Sequence, residues 1–560
     1  MIGAGQRQKI WALVIFAVIF MWSFLHYAWL TEDAFINFRV IENVREGYGL
    51  VWNQGERVQV YTSPLWMLIT TIVSLMTGEL FYTVIGLSLC LMTALLLVLY
   101  RLSNKNVLVF LPVAVLLLTS KSIRDYSTSG LETPLLALGV GLFAYVWCKK
   151  KGRKYHTFWF FLLASVCLLI RHDSIVLTLP FLVQHAFFSF RPLGSARLKA
   201  VLLQIFLAAL PFVAWTVFSL VYYGIPVPNT ARAKIVSGFD GVSQALHYFE
   251  FMQHFDPAVY VIAGITLLSA WILRDKCLIP LASVVGLFVV YMCYIGGDYM
   301  AGRFFVGPVI LCGFLLAFMV SNFVGSQSAA IAPSSTIGRL QVLVLLVALL
   351  VYGTFGLTAR NNTEFNYPRF VNGIVDERGF YYRSLDLGSL IFSDVGHPWR
   401  TQAEAANEEF KGRGGIVIVR NIGLFGLYVD NGVYIVDRFA LSDPFLAAFP
   451  TCVGETRIGH FERSVPVDYI RSLQSGSNQF TQPVVRQYYD DVVLMTRGDI
   501  FSFERFRALL RINTGFYSKQ IDSVDISELG GAYPLHGSQI FPEASCLGGN
   551  AKPVMVAIEE

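Results

Sequence analysis

Carboxylates and cations of this chain sit where long apolar runs begin or end. The acids are Glu32, Asp33, Glu132, Asp173 and Asp298, and the bases are Arg39, Arg171, Lys234 and Arg303. Charge at such boundaries is costly and often functional. Together the two sets could do one kind of chemistry, transfer from a lipid that carries a phosphate. Cations hold the phosphate, an acid takes the proton of an incoming hydroxyl, and apolar spans hold the lipid tail. Each group also has a purely structural reading. Glu32 and Asp33 suit the positive end of a helix dipole. Glu132 precedes Thr133-Pro134 and could cap a helix. Arg171 could pair with Asp173 across a helix break, and Asp298 with Arg303. The residues alone leave both readings open.

The elements that must position these groups are mostly membrane spans. The chain has 560 residues, 55% hydrophobic and 14% charged, with mean hydropathy +0.56. Soluble domains carry about 25% charged residues. The first apolar run, Ile10 to Leu30, is long enough to span a bilayer and has no small-residue cleavage site, so it reads as an uncleaved anchor. Further runs follow at 62–78, 81–101, 106–119, 133–149, 157–170, 173–190, 199–222, 257–273, 278–296, 303–323 and 338–358. The expectation is a polytopic α-helical membrane protein of about 11–12 segments. The basic clusters at Lys149–Lys154, Arg191–Lys199 and Arg274–Lys276 go to the cytoplasm by the positive-inside rule. That places the loops 31–61, 223–256 and 297–302, and the C-terminal part, on the outer side of a bacterial inner membrane. An inside N-terminus and an outside C-terminus need an odd number of spans, and the short run 106–119 is the candidate re-entrant segment. The domains are then a transmembrane part, 1–358, and a periplasmic part, 359–560.

Within loop 31–61, Phe35, Phe38, Ile41 and Val44 recur at helical spacing. They predict an amphipathic helix along the membrane surface, with Thr31 as N-cap and Gly47 and Gly49 ending it. The polar part has ordinary soluble composition. Gly415–Val419 and Val433–Val436 read as strands flanking a helix, which predicts a small α/β unit. Ser502 predicts a helix start, with Phe503, Phe506, Leu509 and Leu510 on one face. An oxidising compartment favours a disulfide between Cys452 and Cys546. The net charge of +5 reflects the cytoplasmic loops. No metal-ligand spacing, Gly-rich phosphate loop or nucleic-acid motif is present, so nucleic acid is not an expected partner.

A set of blocks in one order resembles a known family. They are Glu32-Asp33-Ala34-Phe35-Ile36, Gly49-Leu50-Val51-Trp52-Asn53, Tyr61-Thr62-Ser63-Pro64-Leu65-Trp66, Gly130-Leu131-Glu132-Thr133-Pro134, Pro228-Asn229-Thr230 and Gly296-Gly297-Asp298 with Arg303. In the polar part they continue with Asp437-Arg438, Leu441-Ser442-Asp443-Pro444, Gly459-His460 with Arg463, and Tyr488-Tyr489-Asp490-Asp491. This is similar to the terminal β-(1→2)-arabinofuranosyltransferases of mycobacterial cell-wall arabinan, of the GT-C superfamily. The first acid of the signature here is Glu32, and Arg171-His172-Asp173 replaces an Arg-Pro-Asp form.

The resemblance implies a GT-C fold and a polyprenyl-phosphate furanose donor. It implies Asp33, with Glu32 beside it, as the catalytic carboxylates, Asp33 being the leading candidate for the base. Arg303, Arg171, Lys234 and Arg39 are the candidate phosphate ligands. Glu132, Asp173, Asn229, Asp298, His460 and Asp443 are the candidate substrate contacts. No cofactor is demanded, although a divalent cation could bridge Asp33 and phosphate. The expected partners are the lipid-linked donor, a glycan or glycoprotein acceptor, and the bilayer. Modest Ala with common Lys, Ile and Phe points to an acceptor other than arabinogalactan, such as a pilin-type protein or another surface glycan. The alternative function is a lipid-linked sugar or polysaccharide transporter. It would more often place charges mid-span and show repeat symmetry.

Overall fold

The computed structural model describes residues 4–149, 155–190, 195–234, 240–329, 370–392, 397–452, 458–533 and 554–557. The apolar run 338–358, the boundary at 358/359 and Lys150–Lys154 lie outside these. Among the described residues, five helices are long and apolar enough to cross a membrane: Gln6–His26, Phe81–Leu102, Arg197–Tyr222, Leu278–Ile295 and Arg303–Gly325. A helix satisfies its own backbone hydrogen bonds, so such runs can lie in lipid. Gly241–Phe255 and Ala258–Ile272 add a sixth if they are one span, bent by 94° at a break occupied by Asp256 and Pro257. The loop expected over 223–256 is therefore helical for much of its length. Pro64–Thr77, Val107–Thr119, Thr133–Lys149 and His156–Ile170 are apolar but shorter. This is the make-up of a polytopic membrane protein.

Contacts divide the chain into two compact units. The first comprises Met1–Thr31, Phe81–Phe212 and Gly241–Ser393. Its core is the helix Val306–Ala329, packed against Thr133–Lys149, Ala258–Ile272 and Val107–Thr119. Close packing there needs glycine: a Cβ at Gly141 would stand 2.7 Å from Leu95 Cδ1 and 2.8 Å from the Phe314 ring. The expected break at Arg171 is present. Helix His156–Ile170 stops, a 3-10 turn covers His172–Ser174, and helix Ile175–Phe190 follows.

The second unit comprises Glu32–Leu80, Val213–Asp240 and Asp394–Glu560. Strands Gly415–Val419 and Val433–Asp437 run parallel in register, joined through the short helix Gly423–Tyr428. Val554–Ala557 pairs antiparallel on the other side of Gly415–Val419, which makes that strand central. All five of its residues are buried, in keeping with its unbroken Ile-Val run.

The loop helix forms over Glu32–Arg45 and packs on Gly423–Tyr428. Two expectations change here. Ala34, Phe35, Ile36, Phe38, Arg39, Val40 and Ile41 are all buried, so the helix is a core element and not one laid on a membrane surface. Thr31 Oγ1 makes no hydrogen bond among the described residues and so does not cap the helix; its backbone N–H donates to Ser129 O at 2.9 Å. Gly47 and Gly49, both at φ near 90°, turn the chain after the helix as expected.

Candidate active site

In the second unit the two adjacent acids differ in environment. Glu32 Oε1 accepts hydrogen bonds from the backbone N–H groups of Gly423 at 2.5 Å and Leu424 at 3.2 Å. These are orphan donors at the start of helix Gly423–Tyr428. The fit excludes any side chain at position 423, where a Cβ would lie 2.2 Å from Glu32 O. Burial, and next the Asp33 charge, push the Glu32 carboxyl up to about 8. Glu32 is therefore protonated near neutral pH and carries no like charge beside Asp33. Asp33 stands beside it, half-buried in the first turn of the loop helix.

The other expected residues of this unit divide by what they touch. Arg39 is a brace. Its Nε donates to Trp52 O at 2.9 Å, its Nη1 donates to Gly426 O, and its guanidinium lies 4.9 Å from the Trp52 ring. Its side chain is buried, so it does not present itself to a phosphate as expected. Asn229 is equally internal, with Nδ2 donating to Ala440 O at 2.9 Å and Leu441 O at 3.1 Å. Asp443 accepts from Leu446 N and from the Tyr469 hydroxyl, both at 2.9 Å, and burial pushes its carboxyl up to about 7. Asp437 accepts from Phe439 N and Ser442 N, each at 2.9 Å. These two acids build the loop after strand Val433–Asp437, which is the structural reading of Asp443. His460 is half-buried, with its ring edge-on to Phe439 at 4.8 Å. Lys234 is half-buried at the C-terminus of the helix Asn229–Ala233. Cys452 is disulfide-bonded, and Cys546 lies outside the described residues.

The first unit holds a second charged cluster. Arg171 Nη1 lies 2.8 Å from Glu132 Oε1, and its Nε and Nη2 donate to the two Asp173 oxygens at 2.9 and 2.6 Å. The guanidinium sits 4.5 Å from the Phe304 ring. Burial alone would raise the Asp173 carboxyl, but Arg171 outweighs it and holds the group below its ordinary value. Arg303 Nε is 3.1 Å from Asp298 Oδ2. Arg171, Asp173, Tyr291, Arg303 and Phe304 line one narrow cleft, which brings the Arg171–Asp173 pair and Arg303 to one place. Glu132 spends its carboxylate on Arg171 rather than on a helix cap.

Two relatives are similar to this chain. The first, from Mycobacterium tuberculosis and named terminal beta-(1->2)-arabinofuranosyltransferase, is 25% identical over 547 residues, covering 82% of this chain and 85% of the relative. The second carries the same name, comes from Corynebacterium glutamicum, and is 28% identical over 407 residues, covering 63% of this chain and 55% of the relative. No family model matches the chain. The chain resembles the terminal β-(1→2)-arabinofuranosyltransferases.

This arabinofuranosyltransferase-like chain also has charged groups that motif reading passes over. In the first unit Lys121 pairs with Asp125 and, at 3.3 Å, with Asp376. Asp256 accepts from Ser120 Oγ at 2.6 Å and Ser122 N at 2.8 Å. The four-residue spacing of Lys121 and Asp125 was the available signal. Nothing local to Asp256 or Asp376 announces a partner so far away in sequence.

Proposed function

We propose that the chain is a membrane glycosyltransferase that moves a furanose, arabinofuranose, from a polyprenyl-phosphate donor to a cell-surface glycan or pilin-type acceptor on the periplasmic face of the inner membrane. The likeness to two arabinofuranosyltransferases carries this reading, and for the first of them it extends over most of both chains. Asp33 takes the proton of the acceptor hydroxyl, which attacks the anomeric carbon as polyprenyl phosphate leaves. Glu32, held neutral beneath Gly423, fixes the first turn of the helix that carries Asp33. The charge on the departing phosphate needs a fixed cation. In the unit that carries Asp33 the candidate is Lys234, at the end of the helix Asn229–Ala233. The reaction demands no metal, and a divalent cation between Asp33 and phosphate is compatible with it.

The test is purified protein in detergent with polyprenylphosphoryl-arabinofuranose and a mixed glycan and protein acceptor pool. Polyprenyl phosphate release coupled to a labelled acceptor supports the reading. A donor that binds yet stays intact with every acceptor overturns it.

A further inference from the structure

The helix Phe503–Asn513 has two opposite faces. Arg505, Ala508 and Ile512 are buried, whereas Phe503, Phe506 and Leu510 are exposed at 60%, 55% and 50%. Spacings of three and four residues put the exposed three on one stripe. Phe501 before the helix is 88% exposed and Phe516 after it 52%. Ser502 Oγ accepts from Arg505 N, which fixes where the helix starts and so which face each phenylalanine takes. A soluble surface seldom carries so much aromatic area in one short stretch.

The buried face shows where the stripe lies. Arg505 Nη2 donates to Tyr222 O at 3.0 Å, and Asn513 Nδ2 to Gly224 O at 2.8 Å. A Cβ at Gly224 would stand 2.4 Å from Leu509 Cδ2, so the approach is close. Tyr222 is the last residue of the long apolar helix Arg197–Tyr222. In the last turns of that helix Val213, Val217, Leu220 and Val221 are exposed at 48%, 55%, 42% and 41%, which is a lipid-facing surface. Helix Phe503–Asn513 is thus fastened to the point where a span leaves the bilayer.

We propose that Phe503–Asn513, with Phe501 and Phe516, is an interfacial helix whose apolar stripe is buried in the bilayer leaflet where the span Arg197–Tyr222 ends. Its cation fits that position. The Arg507 guanidinium lies 4.4 Å from the Phe503 ring, so its stem covers apolar surface while its head can reach a phospholipid phosphate. The occupant is the phospholipid surface itself, and the helix fixes the height of the C-terminal sheet above the membrane. This goes beyond the proposed transfer reaction and does not depend on it.

The test uses the full chain in vesicles of phosphatidylethanolamine and phosphatidylglycerol. A photo-crosslinking p-benzoylphenylalanine is placed, one at a time, at Phe503, Phe506, Leu510, the lipid-facing Val217 and the exposed polar Gln487. Adducts are read by mass spectrometry. The expected result is phospholipid adducts at Phe503, Phe506 and Leu510 within about three-fold of Val217 and about ten-fold above Gln487. Adducts no more abundant than at Gln487 would overturn the proposal, as would crosslinks to a second copy of the chain. Three exposed positions give three separate readings, so a variant that fails to fold at one does not decide the outcome.

Discussion

Replacing Glu32 by glutamine tests the division of roles between the two acids. The Glu32 carboxyl rises from an ordinary 4.5 to about 8. Between those values the folded protein holds a proton that the unfolded chain has lost, so stability falls as pH rises through this window. At about 1.4 kcal/mol per pH unit, the cost to the native state reaches at most about 3 kcal/mol at pH 7. The Glu32→Gln amide keeps an oxygen for the Gly423 and Leu424 N–H groups and is neutral at every pH. Glu32→Gln should therefore match wild type below about pH 4.5 and become the more stable of the two as pH rises, by up to about 3 kcal/mol at pH 7. Thermal unfolding followed by tryptophan fluorescence across that pH range, with transfer assayed in parallel, measures both. Transfer at pH 7 should stay within about three-fold of wild type, because a neutral group is replaced by a neutral group. A variant less stable than wild type at pH 7, a difference that does not change with pH, or loss of transfer in a folded protein would refute the reasoning.

Arg171→Met leaves Glu132 and Asp173 without their shared cation and should cost about 3–5 kcal/mol. The triple variant Arg171→Met, Glu132→Gln, Asp173→Asn should recover most of that in the same thermal assay; no recovery would deny the pairing. Gly423→Ala sets a methyl group 2.2 Å from Glu32 O and should cost about 1–3 kcal/mol through overpacking, with transfer reduced alongside.

What the sequence makes legible is local. The strands Gly415–Val419 and Val433–Asp437 show as β-branched runs, and Ser502 marks a helix start that the structure places within one residue. Arg171 and Asp173 are readable as a pair because they flank one break in an apolar run. Glu132, the third member, lies 39 residues away and reads as a cap. Arg39 misleads for the same reason. A cation in an acid-rich loop looks available, yet one of its partners is the Gly426 carbonyl, 387 residues distant, and a backbone carbonyl leaves no mark in sequence. Periodicity marks an apolar stripe but not its direction. The stripe of Glu32–Arg45 turns into the core, whereas in Phe503–Asn513 the residues Phe503, Phe506 and Leu510 turn outward and Leu509 packs toward Gly224.

The most direct test of the account is sugar transfer by wild type and Asp33→Asn with a polyprenylphosphoryl-arabinofuranose donor. Asparagine is nearly isosteric with aspartate and cannot accept the hydroxyl proton, so the fold should survive while the chemistry fails. The account predicts transfer by wild type and a loss of at least about a hundred-fold in a variant that unfolds at the wild-type temperature. Undiminished transfer by Asp33→Asn would contradict it.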